Sequence, residues 1–488
     1  MSTAIIITTY TGTMVRTLFR QNHAGREFTY VFMKGLHVLT QHIASGAMFD
    51  SSARYPPGKC HPGTREKALK IITDWIIDPA PEHSVIWLYG PAGSGKSAIA
   101  QSIAELLWQL YQSQYGGSFF FAAGDIEGRG NGDKLFSTLA YQLAVQFPSL
   151  LPFINDTLSK DPMLPTRSME IQIKALIVDP LLQVSNWVAH TPTIIVDGLD
   201  ECADSTTQRN ILSLISYHIR HHSLPLRFLI ASRPEYWIRD TFEVGTMHDL
   251  TLPISLNEVG DAHGDIERYL VAEFAEICNK YSRIMSSVVK PWPPTRIVER
   301  FVEEASGQFI YASTIVKFVG YSSDFCDPRE QLRILTTADP HRATAFSTLD
   351  ALYASILSRI PDTHRAALKL VIGGIILDLS VQTIEIFLGV DAGVISIILD
   401  ALNSLIDVRP VEFEAEEVLE VFYGPRGCPE ETRITFYHLS FQEFLENEPR
   451  SGKYFVDVAA ISHQLWFTIA NLIGDALEQK PEFEQHKA

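Results

Sequence analysis

Along the first half of the chain, short apolar runs alternate with stretches whose apolar residues recur at helical spacing. Val85-Ile86-Trp87-Leu88-Tyr89 predicts a buried strand, and Ala98 to Leu107 predicts a helix. Gly117 to Ala122 predicts a second strand, and Asn131 to Phe147 another helix. A proline-punctuated segment from Leu151 to Pro165 leads into a further helix through Val188. Thr193–Asp197, Leu226–Ala231 and His248–Ile254 predict three more strands. Alternation of this kind describes a parallel sheet flanked by helices. From Ile266 to Val319 the pattern is nearly all helical. Leu349 to Val408 holds three or four amphipathic helices, broken near Leu379-Ser380-Val381 and Gly389-Val390-Asp391, before strands and a loop.

At 488 residues, 46% apolar and 20% charged, the chain predicts an ordered globular protein of two to four compact units. Forty Lys and Arg against fifty-seven Asp and Glu give a net charge of −17, which argues against broad nucleic-acid or anionic-membrane binding. The five cysteines (Cys60, Cys202, Cys278, Cys326, Cys428) are scattered and form no C-x-x-C pair, so a reducing compartment is expected. Ala4-Ile5-Ile6-Ile7 makes a poor signal peptide, and Leu370 to Leu377 is too short to span a bilayer. The expectation is a soluble, cytoplasmic protein.

Between the first strand and its helix lies Gly90-Pro91-Ala92-Gly93-Ser94-Gly95-Lys96-Ser97, which fulfils G-x-x-x-x-G-K-[ST]. Glycines there let backbone N–H groups turn inward as an anion nest, and the helix N-terminus adds partial positive charge. Lys96 is placed to reach the β- and γ-phosphates, and the Ser97 hydroxyl to ligate magnesium.

The strand ending in Asp197 has the Walker B pattern, whose carboxylate holds magnesium through water. The competing reading of Asp197 is a helix N-cap at a strand–helix turn. Asp200 and Glu201 add two acids at the strand's carboxyl end, either of which can orient or deprotonate an attacking water, and the three-residue offset from Asp197 favours Asp200. Arg233, after the next strand, has the planar, permanently charged fork that suits a γ-phosphate; the alternative is an ion pair with Glu235 or Asp200.

Tyr89–Ser97, Ile194–Glu201 and Ala231–Glu235 resemble the three diagnostic motifs of NACHT nucleoside triphosphatases, of the signal-transducing class that switches between ADP and ATP states. The nearest resemblance is to fungal NACHT proteins with a nephrocystin-like N-terminal domain, and it covers roughly residues 36 to 447. Lys59 to Arg65 resembles their segment before the first strand, placed to wall the base and ribose. Ala305 to Ala312 resembles their small helical domain, and ordinary helix packing explains it equally. The resemblance implies an ATP/ADP and Mg2+ site, weak ATPase activity, and self-association in the ATP state.

It also implies a domain order: an unassigned segment (1–35), a linker and pre-strand helix (36–80), a nucleotide-binding domain (81–256), a helical domain (257–345), a winged-helix domain (346–447) and a C-terminal helical segment (448–488). A winged helix invites a DNA-binding reading, which the charges oppose. Leu370 to Val408 contains no Lys or Arg, while Asp378, Glu385, Asp391, Asp400 and Asp407 are acidic. Glu412, Glu414, Glu416, Glu417 and Glu420 extend that acidity into the wing. His438, in Phe436-Tyr437-His438-Leu439-Ser440, resembles the family's histidine that touches the β-phosphate of ADP and locks the closed state; the plain alternative is a satisfied core histidine.

About fifty residues before Lys59 and about forty after Leu445 are too few for a substantial effector domain or a three-repeat solenoid. The expectation is a switch core alone, either a short family member or a truncated gene product. The leading functional expectation is a slowly hydrolysing regulatory switch. A steady-turnover P-loop enzyme and a nucleotide-binding decoy without hydrolysis stand as alternatives.

Overall fold

The computed structural model describes residues 35–123, 128–184, 191–222, 224–320, 327–337, 345–410 and 432–478. The chain forms two compact units: the first runs to Gly260 apart from Ala92–Ser94, and the second is the remainder from Asp261.

The first unit is built on five parallel strands: β1 (Val85–Tyr89), β2 (Tyr115–Phe120), β3 (Thr193–Asp197), β4 (Arg227–Ser232) and β5 (Thr251–Ser255). Their order is β2-β3-β4-β1-β5, so β4 lies between the strand that leads into the glycine loop and the strand that ends in Asp197. Both faces are covered, which is why the strands read as continuous apolar runs rather than alternating ones. Val85, Trp87, Ile194, Val196 and Phe119 fill one face. Ile86, Leu88, Ile195, Leu229 and Phe120 fill the other with Ile99, Ile103 and Leu107 of the Lys96–Leu110 helix. Helical spacing puts those three residues on one stripe.

The Glu66–Ile77 helix buries Ala68, Ile72, Trp75 and Ile76 on that same face. Its C-terminal carbonyls find a cation. Arg227, buried at the start of β4, donates from Nη1 to Trp75 O and Ile76 O and from Nη2 to Asp78 O. An arginine there satisfies orphan carbonyls and complements the helix dipole.

Several element boundaries differ from expectation, and the end of the helix expected through Val188 lies outside the described residues. β2 begins two residues early, at Tyr115, because its hydroxyl is held inside by Ser118 and Gln142, and the strand slips register between Tyr115 and Gly117. The helix expected from Asn131 begins at Leu135, after a turn closed by Leu135 N–H on Gly132 O. β5 starts at Thr251 because His248–Leu250 forms a 3₁₀ turn.

The second unit is helical. Ala262–Lys280, Thr295–Ala305 and Phe309–Val319 pack around Ile266, Leu270, Phe301 and Ile315. Ser306, left-handed at φ 47°, breaks the chain between the latter two helices. Arg365–Ile376, Val381–Leu388 and Ala392–Leu402 follow, then an antiparallel pair, β6 (Ile406–Pro410) and β7 (Thr432–Phe436). The breaks fall where the sequence expects them: Ser380 and Asp391 each cap the next helix through a side-chain oxygen. Arg450 joins Asp350 by two bonds of 3.0 and 2.7 Å, tying the Glu448–Ser451 turn to the Ala345–Leu357 helix. The acids expected in the wing, Glu412 to Glu420, lie outside the described residues, as do Ala4–Ile7, Cys326 and Cys428. Among the described residues no helix is long and apolar enough to cross a membrane.

Candidate functional site

β1 runs straight into the glycine loop, and the Lys96–Leu110 helix starts at the motif lysine. Gly95 sits at φ 94°, where a Cβ is strained, so the loop can turn into the helix only with glycine there. Lys96 is half-buried. Its Nζ donates to Gly90 O and Pro91 O, both at 2.9 Å, so the ammonium is parked against the loop it is expected to serve. Burial pulls its pKa below the ordinary lysine value, against the opposing pull of Asp200 and Asp197.

Ser97, next on the helix, lies near the carboxylate of Asp197 at the end of β3 and favours its charged form. Asp197 is buried and its pKa is pushed up to about 6, chiefly by desolvation. Its Oδ1 is buried with no hydrogen-bond partner. A buried carboxylate oxygen without a donor costs free energy, and a hydrated cation beside it satisfies the oxygen and restores the charged form. Hydroxyl and carboxylate oxygens are the ligand types a magnesium ion takes. The residues present therefore fit the ion. Among the described residues Asp197 Oδ1 accepts no backbone N–H, so that oxygen does not cap a helix.

After Asp197 the chain turns through Gly198, left-handed at φ 70°, into the single 3₁₀ turn Leu199–Glu201. That turn sends the next two acids to different environments. Asp200 faces β4: Arg233 donates to it from its backbone N–H at 2.9 Å, and its Nε lies 3.2 Å from Asp200 Oδ2. The ion pair weighed from sequence as the alternative for Arg233 is thus formed. Trp87 fixes the same strand end by donating from its indole to Ser232 Oγ at 2.9 Å. Glu201 turns toward β2 and accepts from Ala123 N–H at 3.4 Å. Burial, then the charges of Asp200 and Asp197, push its pKa up to about 8. Glu201 is therefore the acid poised to exchange a proton near neutrality, and Asp200 the one bound to an arginine.

Arg65 is buried and left-handed at φ 56° at the start of its helix, and its Nη1 donates to Leu256 O at 3.5 Å. Another arginine went unnoticed in the sequence. Arg54 lays its guanidinium on the Phe120 ring, 3.4 Å from the centroid, and Nη2 donates to Gln101 Oε1 at 2.9 Å. Phe120 is the register partner of Asp197. Nothing in Ser51-Ser52-Ala53-Arg54 marks that role; only the fold brings it to the acid.

His438 belongs to the second unit. It caps the Leu439–Leu445 helix, its Nδ1 accepting from Ser440 N–H at 3.0 Å. Accepting there places the proton of the neutral ring on Nε2, which makes that nitrogen the donor. Ser440 Oγ also contacts Nδ1 at 2.8 Å and the Tyr353 hydroxyl at 2.8 Å, which fixes the ring.

A parallel sheet in this order, with a glycine loop after β1 and an acid at the end of β3, defines a P-loop nucleoside triphosphatase fold. Residues 63–233 match the sequence model of the family described as Nephrocystin 3, N-terminal, a span that takes in the loop, Asp197–Glu201 and Arg233. Among solved structures, the chain is similar to the Aeropyrum pernix ORC1 protein in complex with DNA, at 14% identity and TM-score 0.33, covering 84% of this chain and 94% of that one. It is similar to Cdc6p from Pyrobaculum aerophilum at 13% identity and TM-score 0.33, covering 86% and 99%. Drosophila ORC bound to DNA gives 15% identity and TM-score 0.34, covering 78% and 95%. No curated protein matches the chain.

Proposed function

We propose that this protein is a NACHT-type regulatory switch that binds ADP and ATP with magnesium and hydrolyses ATP slowly. The observation that carries the reading is Ser97 and Asp197 facing each other beside half-buried Lys96, with Asp197 Oδ1 left without a donor. In this reading the loop Gly90–Ser97 cradles the phosphates, and Lys96 exchanges its carbonyl partners for β- and γ-phosphate oxygens. Ser97 and Asp197 hold the magnesium ion, which supplies charge neutralisation at the phosphates.

Glu201 takes a proton from the attacking water, and Arg233 senses the γ-phosphate at the cost of loosening its bond to Asp200. A base neutral below about pH 8 is mostly in the wrong form at neutrality, which supports slow turnover. The helices from Arg365 to Leu402 with β6 and β7 act as a winged helix with a regulatory role, and His438 donates from Nε2 to the β-phosphate of ADP in the closed state. The acidic helices support a protein without nucleic-acid or membrane partners, working in the cytoplasm and self-associating in its ATP form.

A second reading has its own support. The Arg233–Asp200 bond and the protonated Glu201 equally suit a nucleotide-binding module without hydrolysis. Chromatography of nucleotide released from the purified protein, followed by single-turnover hydrolysis, tests both. Retained ADP with slow turnover supports the switch, retained ATP without turnover supports the module, and an empty site with no measurable affinity overturns both.

A further inference from the structure

The segment 44–54 runs along β2 and is held there by named bonds. Ala44 N–H donates to Thr138 Oγ1 at 2.9 Å and Phe49 N–H to Ser118 Oγ at 3.0 Å. Gln101 Nε2 returns a bond to Phe49 O at 3.1 Å, and the Phe49 ring packs on Trp108 and Tyr115. The segment ends in Arg54, and two contacts hold that residue beside Asp197. Its guanidinium lies on Phe120, the register partner of Asp197 on the adjacent strand, and bonds Gln101, one helical turn after Ser97. Arg54 Nε is buried with no hydrogen-bond partner, as is Asp197 Oδ1. The charged groups acting on Arg54 are Asp197 and Glu201, which attract it, and Arg129, which repels it.

Gln101 lies five residues into the helix from Lys96, about 7 Å along the axis. Arg54 therefore approaches Asp197 from behind the site rather than from the phosphate side. A guanidinium in that place is favoured while Asp197 is a bare carboxylate. It is opposed once a divalent cation takes the same carboxylate, because the net charge it faces changes sign.

We propose that Arg54 is a metal-linked positioning residue that docks the 44–54 segment when Asp197 carries no cation and releases it when a cation binds. The proposal rests on reading Ser97 and Asp197 as magnesium ligands. Linkage makes the effect reciprocal: cation binding loosens the segment, and the docked segment weakens cation binding by the same factor.

Hydrogen–deuterium exchange of peptides covering 44–58 tests this in the full chain loaded with ADP, with EDTA or with Mg2+. Mg2+ is expected to raise exchange roughly five- to tenfold in wild type and in Arg54→Lys, which keeps the charge, and to leave Arg54→Met unchanged. Calorimetric titration of Mg2+ into the ADP complex is expected to show Arg54→Met binding the ion tighter by roughly the same factor. An equal exchange response in Arg54→Met, or unchanged or weaker Mg2+ affinity, overturns the proposal. If Arg54→Met fails to fold, Asp197→Asn runs the test from the other side: its segment should exchange fast with EDTA and ignore Mg2+, and a wild-type response there overturns the proposal. Wild type that binds ADP but takes up no Mg2+ overturns the metal reading itself, whereas Mg2+ uptake without any change in the segment overturns only the Arg54 link.

Discussion

Arg233 grips Asp200 twice, through its backbone N–H at 2.9 Å and through Nε at 3.2 Å from the second carboxylate oxygen. Both side chains are largely enclosed, at 19% and 6% exposure, so the pair ties the end of β4 to the turn after β3 with little screening by water. Removing one partner leaves the other buried and charged. Arg233→Ala is expected to destabilise the protein by about 3–5 kcal/mol, and Arg233→Ala with Asp200→Asn by clearly less. Denaturant melts of the single and double variants measure this. Equal loss in both would show that the pair contributes nothing as a pair.

Lys96→Ala is expected to abolish tight nucleotide binding, since nothing else on the loop carries a charge to balance the β- and γ-phosphates. Its fold should survive, because the two carbonyls it leaves, Gly90 O and Pro91 O, border the loop and can turn to water. Calorimetry with ADP and ATP, alongside a circular dichroism melt, separates the two effects. Unchanged affinity would remove the phosphate site from the loop.

Glu201 gives a pH signature whose sign is fixed. Its folded pKa, about 8, lies above the ordinary glutamate value, so between about pH 4.5 and 8 the native state keeps a proton that the unfolded chain has lost. Stability from this group is therefore full below that window and falls as pH rises through it, by on the order of a few kcal/mol. Glu201→Gln should flatten the decline, and hydrolysis in wild type should rise with pH toward a plateau above 8. Melting temperatures of both proteins across pH 5 to 9 check the first statement, and initial rates the second. A Glu201→Gln curve parallel to wild type would place the titration elsewhere.

His438→Ala removes a helix cap and, in the proposed closed state, a donor to ADP. The cap alone should cost about 1 kcal/mol of stability. Loss of a hydrogen bond to a charged group should weaken ADP by roughly ten- to a hundredfold, with ATP affected less. His438→Asn restores the cap but not the reach. It should therefore recover stability without recovering ADP affinity. Both nucleotides weakening equally, or neither, would leave His438 with only its capping role.

Much of this arrangement could be read from residue order, and the parts that could not share a cause. β1 spans the residues that the apolar run predicts, because a buried central strand is specified by its own side chains. The β2 boundary is not legible because Tyr115 looks polar, and its hydroxyl finds its partners only in the fold, 3 and 27 residues away. The loop, Asp197 and the glycine turn are local motifs, legible in adjacent residues. Which of Asp200 and Glu201 is tied to Arg233 is decided by the 3₁₀ turn Leu199–Glu201, and residue type alone favours neither. Arg54 carried no signal at all. Its neighbours Gln101, Phe120 and Asp197 are 47, 66 and 143 residues away, and only the sheet order makes them adjacent.

β2 is an edge strand of its sheet, and among the described residues the segment 44–54 packs against it from ahead of Gly63. The recognisable family span starts at Gly63, yet the material that shields this strand lies ahead of it. Recognition and foldability thus have different borders here. A chain trimmed to 63–260 would keep the phosphate loop and Asp197 but lose Phe49 and Arg54, the ring partner of Tyr115 and the cation over Phe120, uncovering aromatic surface that invites association between copies. Such a fragment should precipitate or form dimers where one beginning at Gly35 stays monodisperse, a contrast that light scattering resolves directly.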